Sequence, residues 1–191
     1  MFNKKITLLI LLLGVMSSSF ALYKLEANYT IAGKINGPAA GIEMPIIPLF
    51  PLTLKFVKFG DKDIIIESGS SKINAGTARC EITGIEADLG IPLGLNIMNF
   101  SVGATALTTF INIKDPVDDK KTTLPAGIYA GIVGKYSNDI FSFMKIYGSA
   151  GYLSSLIDMD KAAKDTFDVN IDMKEIDASG LFISLGINIG I

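Results

Sequence analysis

The sequence predicts an all-β fold, an antiparallel up-and-down barrel, and three observations carry that expectation. Apolar residues recur with a period of two in several segments. The chain is 49% hydrophobic, yet past Val15 it holds no apolar run of about 18 residues that would cross a membrane as a helix. Connections between the alternating segments fall into a short and a long class that take turns along the chain. The alternation is cleanest at the C-terminus, where Leu181, Ile183, Leu185, Ile187, Ile189 and Ile191 fall on one face and Phe182, Ser184, Gly186, Asn188 and Gly190 on the other.

The first element is a leader. Lys4 and Lys5 form a cationic head, and Ile6 to Val15 form an apolar run of about ten residues, too short to span a bilayer. Ser17, Ser18, Ser19, Phe20 and Ala21 follow. Ser19 and Ala21 place small residues three before and one before a cut after Ala21, the pattern that signal peptidase reads. Residues 1–21 are therefore read as a cleaved signal peptide and 22–191 as one β-barrel domain that works outside the cytoplasm. Cys80 is the single cysteine, so no disulfide framework forms within one chain. Lys plus Arg number 17, two of them in the leader, against 19 Asp plus Glu. That balance excludes nucleic acid as a partner.

Strands are expected at 22–33, 52–60, 63–68, 82–91, 97–111, 123–136, 139–153 and 178–191. In the first, Leu25, Ala27, Tyr29 and Ile31 oppose Lys24, Glu26, Asn28 and Thr30; in the fourth, Ile85, Ala87, Leu89 and Ile91 oppose Gly84, Glu86, Asp88 and Gly90. In the sixth, Ala126, Ile128, Ala130 and Ile132 alternate with Gly127, Tyr129, Gly131 and Val133. Short turns with Gly, Asn or Pro chemistry are read at 60–62, 92–96 and 137–138, and long loops at 34–51, 69–81, 112–122 and 154–177. With the N-terminus in the periplasm, every short turn lies on that side and every long loop outside, the parity of an even-stranded outer-membrane barrel. Residues 63–68 are short for a spanning strand, and 72–80 offer a further one, so ten strands are the other count. Met159 to Thr166 reads as helix-like, and Phe167, Val169, Ile171 and Met173 as an alternating patch.

This sets the faces. Leu181, Ile183, Leu185, Ile187, Ile189, Ile85, Ala87 and Leu89 are expected to face lipid; Lys24, Glu26, Asn28, Lys55, Glu86, Asp88, Ser184 and Asn188 are expected in the lumen. Tyr23, Tyr29, Phe100, Phe110, Tyr136, Phe141 and Tyr152, near strand ends, suit interfacial girdles. Leader, alternation, loop parity and the amphipathic final strand together resemble the small eight-stranded outer-membrane β-barrel class, of the size of the OmpA transmembrane domain and the OmpX-like proteins. The resemblance covers the whole mature chain. It implies an integral protein of the outer membrane of a two-membrane bacterium, a monomer in contact with outer-membrane lipid.

The chemistry is mostly exclusion. The chain has no histidine, which removes Ser-His and Asp-His active sites and imidazole metal sites. No catalytic, cofactor or metal site is expected. Glu26, Glu86 and Asp88 with Lys24 and Lys55 read as charges that satisfy one another inside a barrel only wide enough for side chains. Asp115, Asp118 and Asp119, and Asp158, Asp160, Asp165, Asp168 and Asp172, read as solvated loop charge, lacking the Gly-bearing spacing of a calcium loop. The function expected is non-enzymatic: binding or adhesion through loops 34–51 and 154–177, contacting extracellular or host molecules, or a structural place in the envelope. The alternatives are a narrow pore, and a secreted or periplasmic soluble β-barrel that binds a small apolar ligand.

Overall fold

The computed structural model describes residues 23–47, 50–68, 75–92, 100–115, 117, 120–157, 170–172 and 174–190. The leader and its cleavage residues Ser19 and Ala21 lie outside them, as do the helix-like patch 159–166 and three of the four residues of the alternating patch, Phe167, Val169 and Met173. The strands are β1 (Lys24–Ala32), β2 (Ile35–Ile47), β3 (Phe50–Ser68), β4 (Gly76–Pro92), β5 (Phe100–Lys114), β6 (Lys121–Phe141), β7 (Met144–Ser155), a two-residue β8 (Asn170–Ile171) and β9 (Gly180–Gly190). Each of β1 to β6 pairs antiparallel with the next, and β9 joins β7 to β1. The result is a closed, up-and-down ring of eight strands, a geometry without sheet edges.

The ladders fix the stagger. From Ala27 one path runs through Ala40, Phe56, Ile85, Thr108 and Ile128 to Leu156, just past β7; the other runs through Ile187 to Ile146. The two paths meet β7 ten residues apart, Leu156 against Ile146. With ordinary strand spacings, that stagger tilts eight strands by about 40°.

Two expectations about strands are corrected, and they offset each other in the count. Residues 34–51 are not a long loop: they hold β2, joined to β1 by a tight turn at Gly33 and Lys34. Gly33 has φ +53, a conformation glycine adopts at no steric cost. The β2 sequence hides its strand because its inward positions include Gly37, Ala39 and Gly41 and its outward ones Pro38 and Ala40. These small residues have a packing reason. A Cβ on Gly37 or Gly41 would meet the main-chain oxygen of Lys58 or Leu54 at 2.0 Å. Conversely, 60–62 is no turn. β3 runs through it with a register shift between Phe59 and Asp61, a bulge that bends the strand without ending it. The turn expected at 137–138 lies instead at 142–143, and 76–80 of the expected strand 72–80 begin β4, so among the described residues the ring has eight strands rather than ten. Loop parity weakens accordingly: a two-residue turn stands at each end of the barrel.

Candidate functional site

We call proximal the barrel end that holds Lys24 and Gly190, and distal the end with the Gly33–Lys34 turn. The outward positions on the proximal side of every barrel strand are largely apolar. Leu25, Ile42, Leu54, Phe56, Ile85, Leu89, Ile91, Ile132 and Ile187 are all exposed, with Ile132 at 70% and Leu185 at 65%, and on β1 and β9 the apolar outside continues to Ile31 and Leu181 beside the distal turn. The residues expected to face lipid thus stand on the outer surface, Ala87, Ile183 and Ile189 half-buried among them. Phe100, Tyr136 and Phe141 are exposed toward the proximal end, and Phe141 stacks on Phe143 at 5.7 Å. Tyr29 and Tyr152 are exposed toward the other. Tyr23 and Phe110 are half-buried.

The inner surface has the opposite character. Glu26, Asn28, Lys55, Glu86, Ser184 and Asn188 are buried, while Lys24 and Asp88 are partly accessible at the proximal mouth. Glu26 is the hub of one network. Its carboxylate accepts from Lys135 Nζ at 2.5 Å, Tyr147 OH at 3.0 Å and Asn188 Nδ2 at 3.0 Å. Glu43 joins it, paired with Lys24 at 2.5 Å and accepting from Asn188 Nδ2 at 3.2 Å. The Lys135 ammonium also lies 4.1 Å from the Tyr147 ring centroid, a cation–π contact. Lys55 forms a second network with Glu86 and with Asp88 Oδ2, the latter at 2.6 Å. Lys135, Glu43 and Tyr147 are the members that sequence reading missed. The first stands beside Gly134 in a glycine-broken pattern, and the second lies in the strand mistaken for a loop. Tyr147 sat on the inward face of β7, where nothing in the sequence distinguished it from packing aromatics.

Toward the distal end, both surfaces invert. Past the Phe56–Ile85 pair, outward positions on β3 and β4 become Lys58, Asp61, Asp63, Arg79 and Glu81. Lys58 pairs with Glu81 at 2.7 Å and Arg79 with Asp61 at 2.9 Å. Inward positions become Val57, Phe59, Ile64, Ile66, Ala78, Cys80 and Ile82. They merge with Leu107, Ile111, Ile113, Leu124 and Phe182 into one apolar core. An aliphatic outside with a charged inside is the pattern of a barrel in lipid; a charged outside with an aliphatic inside is that of a barrel in water. The same strands carry both, and the change of character falls near Lys58 and Thr83. Burial among these side chains pushes the Cys80 thiol up to about 11.

Among the described residues, no cluster of His, Cys, Asp and Glu has the arrangement to hold a metal ion. Asp115 is buried, its Oδ1 accepting from Val117 N at 2.8 Å. Asp172 Oδ1 accepts from Lys174 N at 3.0 Å. Both side chains cap turns. Asp118, Asp119, Asp158, Asp160, Asp165 and Asp168 lie outside the described residues.

No family model and no curated protein matches the chain. Among solved structures, a major outer membrane protein from Thermus thermophilus superposes with a TM-score of 0.50 at 14% identity, over 89% of this chain and 98% of that one. CarO of Acinetobacter baumannii gives a TM-score of 0.47 at 10% identity over 91% and 99%. The N-terminal β-barrel domain of Pseudomonas aeruginosa OprF gives 0.45 at 11% over 90% and 98%. At 14% identity the Thermus likeness speaks to fold alone, and with the ring closure above it gives one conclusion: this chain has the closed eight-stranded architecture of the small outer-membrane β-barrels.

Proposed function

We propose that the chain is an integral, non-enzymatic protein of a bacterial outer membrane, a sealed barrel that anchors a distal crown and exposes it to water. The observation that carries this reading is the inversion along β3 and β4. A soluble β-barrel has no reason to expose Leu54, Phe56, Ile85 and Leu89 while burying Lys55 and Glu86. In hydrocarbon, the same arrangement removes those aliphatic groups from water at roughly 25 cal/mol per Å².

Lipid is then the partner of the belt, and a monomer suffices because the ring closes on one chain. The crown consists, among the described residues, of 58–68, 76–82, 110–114, 121–127, 156, 157, 170–172 and 174–179. It is the surface available for extracellular or host molecules, whereas Ile35–Ile47 of the expected loop 34–51 form β2. The pore reading is disfavoured by the filled lumen, with two ionic networks below and an aliphatic core above. An apolar-ligand carrier in water is disfavoured by the exposed belt.

Fractionation of cells that express the full chain tests this. The protein should be recovered in the outer-membrane fraction and run on gels with a mobility that changes on boiling. Purified barrel should leave a planar bilayer without steady conductance. Recovery from the soluble periplasm or medium would overturn the membrane reading, and stepwise channels would overturn the sealed lumen.

A further inference from the structure

Among the described residues, the ionic groups of the lumen balance in one network and not in the other. Around Glu26, Lys24 and Lys135 face Glu26 and Glu43, two charges of each sign. At the proximal end, Lys145 pairs with Asp139 at 3.1 Å. Around Lys55, one ammonium stands against two carboxylates, Glu86 and Asp88, which leaves one negative charge over. The Glu86 side chain is fully buried and that of Asp88 is 21% exposed, so the surplus charge is held largely out of water, where it needs a counter-charge.

The oxygens that Lys55 does not occupy point to what supplies it. Lys55 contacts Glu86 Oε1 and Asp88 Oδ2. Glu86 Oε2, Asp88 Oδ1 and Thr105 Oγ1 are buried with no hydrogen-bond partner in the protein. These three groups stand together. Thr105, 2% exposed, faces Asp88 directly across the β4–β5 ladder, and the Asp88 carboxylate lies against the Glu86 and Thr105 side chains. Two carboxylates in contact repel each other unless a positive charge lies between them. The way in carries no side chains. On the proximal side of Asp88 the inward positions of β4 and β5 are Gly90 and Gly103, paired with each other, and the β6 residue opposite Thr105 is Gly131.

We propose that Glu86, Asp88 and Thr105 form a binding site for a small monovalent cation such as Na⁺, which enters from the proximal mouth and neutralises this wall of the lumen. Oxygen donors suit a hard cation. The surplus of one charge sets the valence. Two carboxylates already shared with an ammonium fall short of the acidic cluster that a divalent ion takes, and no such cluster occurs among the described residues. Because only the folded ring brings β4 and β5 into this register, the ion stabilises the folded chain by mass action.

The test follows urea unfolding of the full folded protein in zwitterionic phospholipid vesicles at constant ionic strength, with Na⁺ exchanged for tetramethylammonium, which is too large to sit between the two carboxylates. The folding equilibrium constant should rise about tenfold between about 1 and about 300 mM Na⁺, as for a folded-state site with a dissociation constant of about 30 mM. Asp88→Asn removes the surplus charge and leaves Lys55 paired with Glu86, so this barrel should fold and its Na⁺ response should fall below about twofold. Thr105→Val, which removes one donor at similar volume, should weaken the response. Glu81→Gln, on the outer surface beyond the belt, should leave it unchanged. A second measurement does not depend on the stability of any variant: the sodium NMR line should broaden with the folded unaltered barrel and not with folded Asp88→Asn. Equal Na⁺ responses in the unaltered and Asp88→Asn barrels would overturn the location. A folding constant indifferent to Na⁺ would overturn the cation, and stability that then follows pH in the unaltered barrel but not in Asp88→Asn would make the counter-charge a proton shared by the two carboxylates.

Discussion

Lys55 on β3 faces Glu86 on β4 across the lumen wall, and its Nζ also lies 2.6 Å from Asp88 Oδ2, two residues further along the same inward face. One ammonium group therefore holds two carboxylates, and the Lys55 and Glu86 side chains are 2% and 0% exposed. Removing one member of a buried ionic group leaves charge without compensation, which costs more than the group as a whole contributes. Lys55→Met should lower stability by about 3–5 kcal/mol, read as a shift in the urea midpoint of the vesicle-inserted barrel. Adding Glu86→Gln and Asp88→Asn to it should restore more than half. If the triple variant stays as unstable as Lys55→Met, packing of the lysine stem rather than charge pairing holds this wall.

The belt makes a second prediction, because exposure alone does not distinguish lipid from water. Leu185 is 65% exposed on β9 and Ile65 is 57% exposed on β3, but Ile65 stands beyond the Phe56–Ile85 level, among Asp63, Glu67 and Arg79. Leu185→Arg should cost about 2–4 kcal/mol near the bilayer midplane, whereas Ile65→Arg should stay within about 0.5 kcal/mol, as for a surface change in water. Paired unfolding titrations in the same vesicles decide it. Equal costs would remove the membrane boundary from where the inversion puts it. Ser184 is a poor control for this purpose: it is fully buried beside Asn28, which donates to its hydroxyl, so an arginine there overfills the lumen.

Much of this was legible in the sequence because period-two patterning survives wherever large side chains alternate with polar ones. β1, β4 and β9 read directly from Leu25, Ile85 and Leu185 and their polar neighbours. β2 did not, since a strand made narrow by Gly37 and Gly41 and stiffened by Pro38 lacks, from Asn36 to Gly41, the large residues that make alternation visible. β3 was misread for the reverse reason. Gly60, Asp61 and Lys62 have turn chemistry, but the residues that continue the strand, Ile64 and Ile66, are inward partners of Ala78 and Gly76. What looked like a break was the level where the outward face changes from Phe56 to Asp61 and Asp63. The lumen was legible in residue type but not in pairing. Glu26 meets Lys135 across 109 positions of sequence, a contact set by ring closure and stagger rather than by any local spacing.

Alkaline pH offers a third prediction through Cys80, which sits in the distal core outside the belt. Its thiol is raised from an ordinary value of 9.0 to about 11 by burial. Below pH 9 the thiol is neutral in both folded and unfolded chains and adds no pH dependence. Between about 9 and about 11 the unfolded chain releases the proton and the folded chain keeps it, so stability falls through that window, by at most about 2–3 kcal/mol. Cys80→Ala carries a constant cavity cost, but its stability should decline less steeply between pH 9 and 11 than that of the unaltered protein. Parallel slopes for the two proteins would show that the thiol titrates no differently after folding.

The Gly33–Lys34 turn yields a fourth. Gly33 N donates to Leu181 O and Lys34 N to Asp177 O, each at 3.0 Å, so one turn ties the β1–β2 hairpin to β9 and to the residues that lead into it. At φ +53, a Cβ on Gly33 would meet Ser179 O at 2.4 Å and Asp177 O at 2.7 Å. Gly33→Ala therefore combines left-handed strain of about 1 kcal/mol with a clash against main chain, which cannot swing aside as a flexible side chain would. The expected loss is about 2–3 kcal/mol, with amide exchange at Lys34 accelerating more than at Tyr29 in the β1 ladder. Lys34→Ala keeps the backbone donor and removes only an exposed ion pair, so it should stay within about 0.5 kcal/mol. A Gly33→Ala protein with unchanged exchange at Lys34 would mean that the turn absorbs the methyl without moving Asp177 and Ser179, and that the two segments are not mechanically joined.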